Sequence, residues 1–290
     1  MSRNLVIIGA PRSGTNMLRD LLTAAPGIAT WDCDEIPLIW KHGNLDLDHD
    51  ELGPERARPE IAAYLQSQFA KLGRRTGAEI VVEKTCANSL RIPFVLGAIP
   101  DAVFVVIRRD GIDATASTMQ RWNAPFDWKY TAKKARFVPP GDVPRHLVGY
   151  VRRRLIQRRT GEAGTSNPRL RVSTWWGPRP HDFRQIAADH PLDEVAFIQW
   201  QRCVELSTAA LADVPADRVI ELGYEAFVAD PAAGLRTILA RFGAEDLAAT
   251  IDTSSVRASS VGKGRAHLGP DAVARLETLG GSTLRRLGYA

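Results

Sequence analysis

Leu5-Val6-Ile7-Ile8-Gly9-Ala10-Pro11-Arg12-Ser13-Gly14-Thr15-Asn16-Met17-Leu18 is the stretch from which the rest of the chain can be read. Leu5 to Ile8 is an aliphatic run bounded by glycine and proline, which marks a short buried strand too brief for a buried helix. Gly9, Pro11 and Gly14 then break the chain. From Thr15 to Ala25 the apolar residues Met17, Leu18, Leu21 and Leu22 recur at helical spacing. A strand, a glycine-bearing turn and a helix start, in that order, make a socket for an anion. Gly14 lets the backbone approach a ligand closely, and the first helical N–H groups point outward with the positive end of the helix dipole. Ser13, Thr15 and Asn16 add hydroxyl and amide donors, and Arg12 adds fixed positive charge. The glycine spacing is that of a phosphate loop, yet the Lys-Ser/Thr of a Walker loop is replaced by Thr15-Asn16. A nucleoside-triphosphate kinase would need that lysine on the phosphates and that hydroxyl on Mg²⁺.

Composition narrows the classes. The chain has 290 residues, enough for one large α/β domain or two small ones. With 44% apolar and 24% charged residues, and no repeat or low-complexity tract, it reads as globular rather than disordered. The formal net charge of +5 favours an anionic ligand. No nucleic-acid motif accompanies it, so nucleic acid is not the expected partner. Cys33, Cys86 and Cys203 stand alone without a CxxC pair, which argues against a disulfide framework or zinc site and for a reducing compartment, the cytoplasm. The first strand begins within a few residues of Met1, leaving no room for a signal peptide, and no apolar run approaches a membrane span.

Further strands follow the same plan. Glu79 to Val82 ends in Glu83-Lys84-Thr85, with a helix expected from about Asn88 to Gly97. Ala102 to Ile107 is the most hydrophobic run and a central strand. It ends in Arg108-Arg109-Asp110-Gly111, before a helix from about Ile112 to Trp122. Open α/β sheets place ligand-binding groups at strand carboxyl ends, where Lys84 and Arg109 stand. Ser117, about two turns into that helix, can face the same crevice. Asp110 reads as a helix cap and Arg108 as one half of a structural ion pair. Arg218 to Leu222 is a fourth strand, leading to Gly223-Tyr224-Glu225 and, after Pro231, a helix to Phe242. Other helices are expected over Pro59 to Leu72, Leu192 to Leu211 and Pro270 to Leu287.

Two regions stand apart. Asp32, Asp34 and Glu35 crowd a loop just past the anion socket. They are a solvated turn, an acidic partner for Arg12, or a functional carboxylate. From about 120 to 192 the pattern breaks. Trp122, Trp128, Tyr130, Trp175 and Trp176 alternate with prolines and the basic groups Arg152-Arg153-Arg154 and Arg158-Arg159, with a helix expected from Arg145 to Arg159. Tryptophans beside arginines suit a sugar or an anionic, partly apolar molecule. A surface flap with a solvated basic face competes with that reading.

Pro11-Arg12-Ser13-Gly14-Thr15-Asn16 resembles the 5′-phosphosulfate loop of sulfotransferases that use 3′-phosphoadenosine 5′-phosphosulfate (PAPS). Arg109-Asp110-Gly111 with Ser117 resembles the 3′-phosphate motif. Tyr224-Glu225 and the late Gly262-Lys263-Gly264-Arg265 stand in family order. The resemblance covers most of the chain outside 120–192. It implies an α/β fold of the P-loop-like sulfotransferase type, a mostly parallel central sheet flanked by helices, built as a single domain over 1–290. The insertion at about 120–192 would form the acceptor side or a lid.

The same resemblance implies sulfuryl transfer from PAPS to a hydroxyl of a carbohydrate, lipid or other small metabolite, releasing adenosine 3′,5′-bisphosphate, with no metal. Arg12, Ser13, Gly14, Thr15 and Asn16 would hold the 5′-phosphosulfate. Lys84 would stabilise the bridging oxygen. Arg109, Ser117, Lys263, Gly264 and Arg265 would take the 3′-phosphate, and Tyr224 would lie near the adenosine. Cytosolic small-molecule sulfotransferases carry a histidine base two residues after the lysine, where this chain has Cys86. Tyrosylprotein and glycan sulfotransferases use a glutamate from the loop after the first helix, and Glu35 is the choice here, with Asp34 and Asp32 as alternatives. A kinase-like nucleotide enzyme and a non-catalytic anion-binding protein remain open, as does a homo-oligomer.

Overall fold

Leu5 to Ile8 lie at the centre of the sheet, between two other apolar strands. The computed structural model describes residues 2–122, 136–144 and 177–289. Its strands are β1 (Arg3–Ile8), β2 (Ile28–Ala29), β3 (Ile80–Lys84), β4 (Val103–Arg108) and β5 (Val219–Gly223). All pair in parallel, in the order β2-β3-β1-β4-β5. Register sets Ile7 opposite Lys84 and Ile8 opposite Val106, so the turns after β1, β3 and β4 emerge along one edge. The chain leaves β1 toward β2 on one side and leaves β4 toward β5 on the other. Such a divergence opens a crevice at the strands' carboxyl ends.

Strand alternation divides the core into two layers. Val6, Ile8, Val81, Phe104 and Val106 pack beneath α3 (Pro59–Thr76) and α4 (Ile92–Ala98), with Trp40 from α2 (Pro37–Trp40). Leu5, Ile7, Val82, Val105 and Ile107 face α1 (Thr15–Ala24) and two helices following β5, Tyr224–Ala229 and Pro231–Ala240. Each fully buried aliphatic or aromatic side chain contributes roughly 1.5–3 kcal/mol. In α3, Pro59 opens the first turn, the buried Ile61, Leu65, Phe69 and Leu72 form one stripe, and Gly77 closes the helix at φ 67°. A third cluster, around Phe197 and Trp200 of the helix Leu192–Leu211, packs Ile112 and Ala114 of α5 (Gly111–Trp122) against the C-terminal helix Pro270–Arg286.

Three local differences from the sequence expectations have physical causes. Ile28–Ala29 forms a two-residue edge strand on β3, too short to show a period. The helix expected from Asn88 starts at Ile92, after a 3₁₀ turn over Cys86–Leu90 and a break at Arg91 (φ −143°). Pro93 has no N–H to give, so it sits in a first turn rather than inside a longer helix. Phe183–Asp189 forms a helix within the region expected to lack pattern. The expected helix Arg145–Arg159 and the Trp175-Trp176 loop lie outside the described residues. Among the described residues no helix is long and apolar enough to cross a membrane.

Candidate functional site

The turn after β1 is shaped by its neighbours. Gly14 caps α1 at φ 85°, and a Cβ there would meet the Tyr224 ring 2.6 Å away. Glycine is therefore required for conformation and for space. Arg12 is left-handed at φ 66°, an uncommon and strained state for a residue with a Cβ. Its carbonyl accepts from Arg109 Nη1 at 2.8 Å, and its Nε donates to Ser117 Oγ at 3.0 Å. Burial lowers the Arg12 pKa, with Arg109 and Arg121 pushing the same way. Ser13 is buried, and its hydroxyl has no hydrogen-bond partner among the described residues. Thr15 is buried 3.7 Å from the Cys86 sulfur, while Asn16 is exposed.

Lys84 ends β3 and is almost wholly buried. Its ammonium donates to Glu35 Oε1 at 2.9 Å, and the same oxygen accepts the Cys86 N–H at 3.2 Å. Burial, the largest single influence, would lower the Lys84 pKa, but Glu35 and Cys86 together outweigh it and the net shift is upward. The lysine is thus charged at neutral pH. The other two acids of the loop lie elsewhere: Asp32 is exposed and pairs with Arg136 at 3.2 Å, and Asp34 is half-exposed beside Arg19. Burial pushes the Cys86 thiol up to about 12, and Glu35 pushes it the same way, leaving it a neutral group.

At the other end Arg109 is buried. Its Nη2 donates to Ser260 O at 2.9 Å and lies 3.8 Å from Asp113. Its guanidinium also stacks 4.4 Å from the Tyr224 ring centre, and the Tyr224 hydroxyl contacts Ser260 Oγ at 2.9 Å. Asp113 accepts the N–H groups of Gly262 at 2.7 Å and Gly264 at 2.6 Å. It thereby fixes the late loop, and it engages the amide of Gly264, a residue that the resemblance had assigned to the 3′-phosphate. Lys263 and Gly264 line this end. Arg265, expected beside them, is instead held by Glu277 at 2.5 Å and by the Tyr289 carbonyl. Asp110 accepts the Ile112 N–H as a cap, and Arg108 pairs with Glu221.

Two cavities join these ends. One, of about 360 Å³, is lined by Arg12, Gly14, Thr15, Asn16, Glu35 and Lys84 among others. A second, of about 550 Å³, runs to Lys263 and Gly264. They share Arg109, Ser117 and Ser260. Sequence reasoning left Ser260, Asp113, Arg19 and Thr85 without roles at the site. Thr85 adjoins Lys84, and Asp113 follows Arg109 by one helical turn, which are the signals that could have found them.

A model of the sulfotransferase family matches residues 4–159 and 173–248. No curated protein matches the chain by sequence. Solved structures similar to it include a sulfotransferase from Alicyclobacillus acidocaldarius, at 17% identity and TM-score 0.55 over 99% of this chain and 94% of that one. Another is the sulfotransferase domain from the curacin biosynthetic pathway, at 12% identity and TM-score 0.53 over 96% and 97%. A third is the sulfotransferase STF9 from Mycobacterium avium, at 14% identity and TM-score 0.51 over 100% and 78%. At these identities the likeness is one of fold.

Proposed function

The chain belongs to the sulfotransferase family, and from that premise we propose that it moves a sulfuryl group from PAPS to a hydroxyl of a carbohydrate, lipid or other small metabolite. One observation carries the reading: the buried Lys84 paired with the part-buried Glu35, 2.9 Å apart, beside a glycine turn in the same cavity. The residues present fit the donor. The partnerless Ser13 hydroxyl and the crowded Arg12 suit a phosphosulfate, and Arg109 with Lys263 suits a second phosphate. Arg265, engaged by Glu277, is left out of that grip.

In this mechanism the acceptor oxygen attacks sulfur as the bond from sulfur to the bridging oxygen breaks. Glu35 takes the acceptor's proton, and adenosine 3′,5′-bisphosphate leaves. Lys84 neutralises the charge growing on the bridging oxygen, so the protein's contribution is positioning and electrostatic stabilisation. A glutamate base aligns the chain with the tyrosylprotein and glycan type. The neutral Cys86 thiol, where a histidine base would stand, agrees with this. We take 1–290 as one domain, with 120–192 as the acceptor side or lid, working in the reducing cytoplasm.

Calorimetry with adenosine 3′,5′-bisphosphate in EDTA tests the reading. Binding without metal, followed by transfer of label from ³⁵S-PAPS to a member of a hydroxyl library, is the expected result. Tight MgATP binding with no bisphosphate binding would replace the reading with a kinase. Bisphosphate binding with no sulfated product from any acceptor would leave an anion-binding protein.

A further inference from the structure

Glu35 sits on a loop, and a loop holds a side chain less firmly than a strand or helix does. Its two flanking peptide groups are nevertheless both gripped. Arg19, one turn beyond Thr15 in α1, donates Nη1 to the carbonyl of Asp34 at 2.8 Å. On the other side the N–H of Ile36 donates to Thr85 Oγ1 at 3.2 Å, and Thr85 is the residue after Lys84. A threonine hydroxyl has one proton to give and two lone pairs to offer. Thr85 gives that proton to Glu83 Oε1 at 2.6 Å, which turns a lone pair toward Ile36. Glu83 is held in turn, since Oε2 accepts from Asn88 Nδ2 at 2.8 Å and Asn88 Oδ1 accepts from Arg91 Nε at 2.8 Å.

Glu83, Thr85, Asn88 and Arg91 are all fully buried. Burial raises the Glu83 pKa despite its hydrogen bonds. Buried polar chains are costly unless each member is satisfied. Although Arg91 Nη1 and Nη2 have no hydrogen-bond partner among the described residues and Nη1 lies 3.6 Å from Asp50, every side chain of this one is hydrogen-bonded. Its free end is the Ile36 amide, next to the carboxylate that meets Lys84. The end of β3 therefore divides its work by strand alternation. Lys84 enters the cleft, Glu83 turns into the opposite layer beside Trp40 and Arg91, and Thr85 reaches the loop.

We propose that Thr85, oriented by Glu83, is a positioning residue that sets the Glu35 carboxylate against Lys84, with Arg19 as the second hold on the loop. The catalytic consequence rests on the sulfuryl-transfer reading. The positional claim rests on the hydrogen bonds alone.

The test pairs Thr85→Val, which keeps the shape and removes the acceptor, with Thr85→Ser, which keeps the acceptor. In crystal structures of the full chain, Glu35 Oε1 is expected to leave hydrogen-bond reach of Lys84 Nζ in T85V and to stay within it in T85S. In turnover of ³⁵S-PAPS, T85V should lose on the order of 10- to 100-fold in kcat, as small misplacements do. Bisphosphate affinity should hold within about twofold and the acid limb of the kcat–pH profile should move, because the base and not the donor site is disturbed. T85S should restore the rate. A Glu35 unmoved in T85V, or equal losses in T85V and T85S, would overturn the proposal. If T85V does not fold, Thr85→Cys, with a weaker acceptor, is read against T85S by the same displacement and the same rate. If the parent binds no bisphosphate, the sulfuryl-transfer reading falls, and the displacement of Glu35 still decides the positional claim.

Discussion

The two ends of the cleft hold their buried cations in opposite ways. Lys84 faces a side-chain carboxylate at 2.9 Å, on a residue that can take up a proton. Arg109 faces main-chain carbonyls of Arg12 and Ser260, at 2.8 and 2.9 Å, with Asp113 farther off at 3.8 Å. Carbonyls do not titrate, so the Arg109 end is a fixed frame. The Lys84 end contains a charge pair that an incoming group can redistribute. The proposed sulfuryl transfer calls for both, a rigid grip on the carrier and a responsive contact at the atom in transit, and it assigns one to each of the strand ends on either side of β1.

If that division holds, damage at the two ends should separate into lost rate and lost affinity. The largest effect is expected at Lys84. Lys84→Ala should lower kcat for labelled PAPS on the order of 10²–10³, the scale of a lost oxyanion donor, while calorimetry shows bisphosphate affinity little changed. A parallel loss of affinity would erase the contrast. Next comes Arg109→Ala, expected to weaken bisphosphate binding by roughly 1.5–3 kcal/mol, one charge-assisted contact. Should affinity in the mutant equal the parent's, the frame belongs elsewhere.

Asp113→Asn sharpens the comparison from within the frame. It replaces one of two acceptors for the Gly262 and Gly264 amides with a donor, and should cost about 1–3 kcal/mol in local stability. Hydrogen exchange at those two amides should quicken while exchange at Ile36 is unaltered. The smallest effect concerns Cys86. A thiol whose folded pKa is raised to about 12 stabilises the fold below its unfolded pKa of about 8.5 and loses that contribution as pH climbs toward the folded value. Cys86→Ala should therefore soften the fall in stability above about pH 8.5 and leave turnover at neutral pH unchanged. A mutant that unfolds along the same alkaline curve as the parent would remove Cys86 from the accounting.

Strand ends were the most legible part of this chain. Buried parallel strands leave unbroken aliphatic runs, and the charged pairs that end them, Glu83-Lys84 and Arg108-Arg109, stand out, so Lys84 and Arg109 could be placed before any coordinates. The helix Leu192–Leu211 was read to its ends because twenty residues without glycine or proline follow Pro191, with apolar residues throughout. Glu35 was legible only as one of three neighbouring acids. The contacts that hold its loop come from Thr85 and Arg19, which lie 50 residues ahead and 16 behind, and no spacing rule joins those positions. Arg265 shows the converse. The resemblance assigned it to an anion, but Glu277, on the following helix, pairs with it.

The contacts Arg109 makes with Arg12 and Ser260 go to a group that all twenty amino acids carry. The loops that bear those carbonyls are free to change their letters so long as the curve of the backbone survives. Arithmetic on identities then goes blind where superposition stays sharp, and chains matching this one at only 12 or 17% of positions can trace the same course through space.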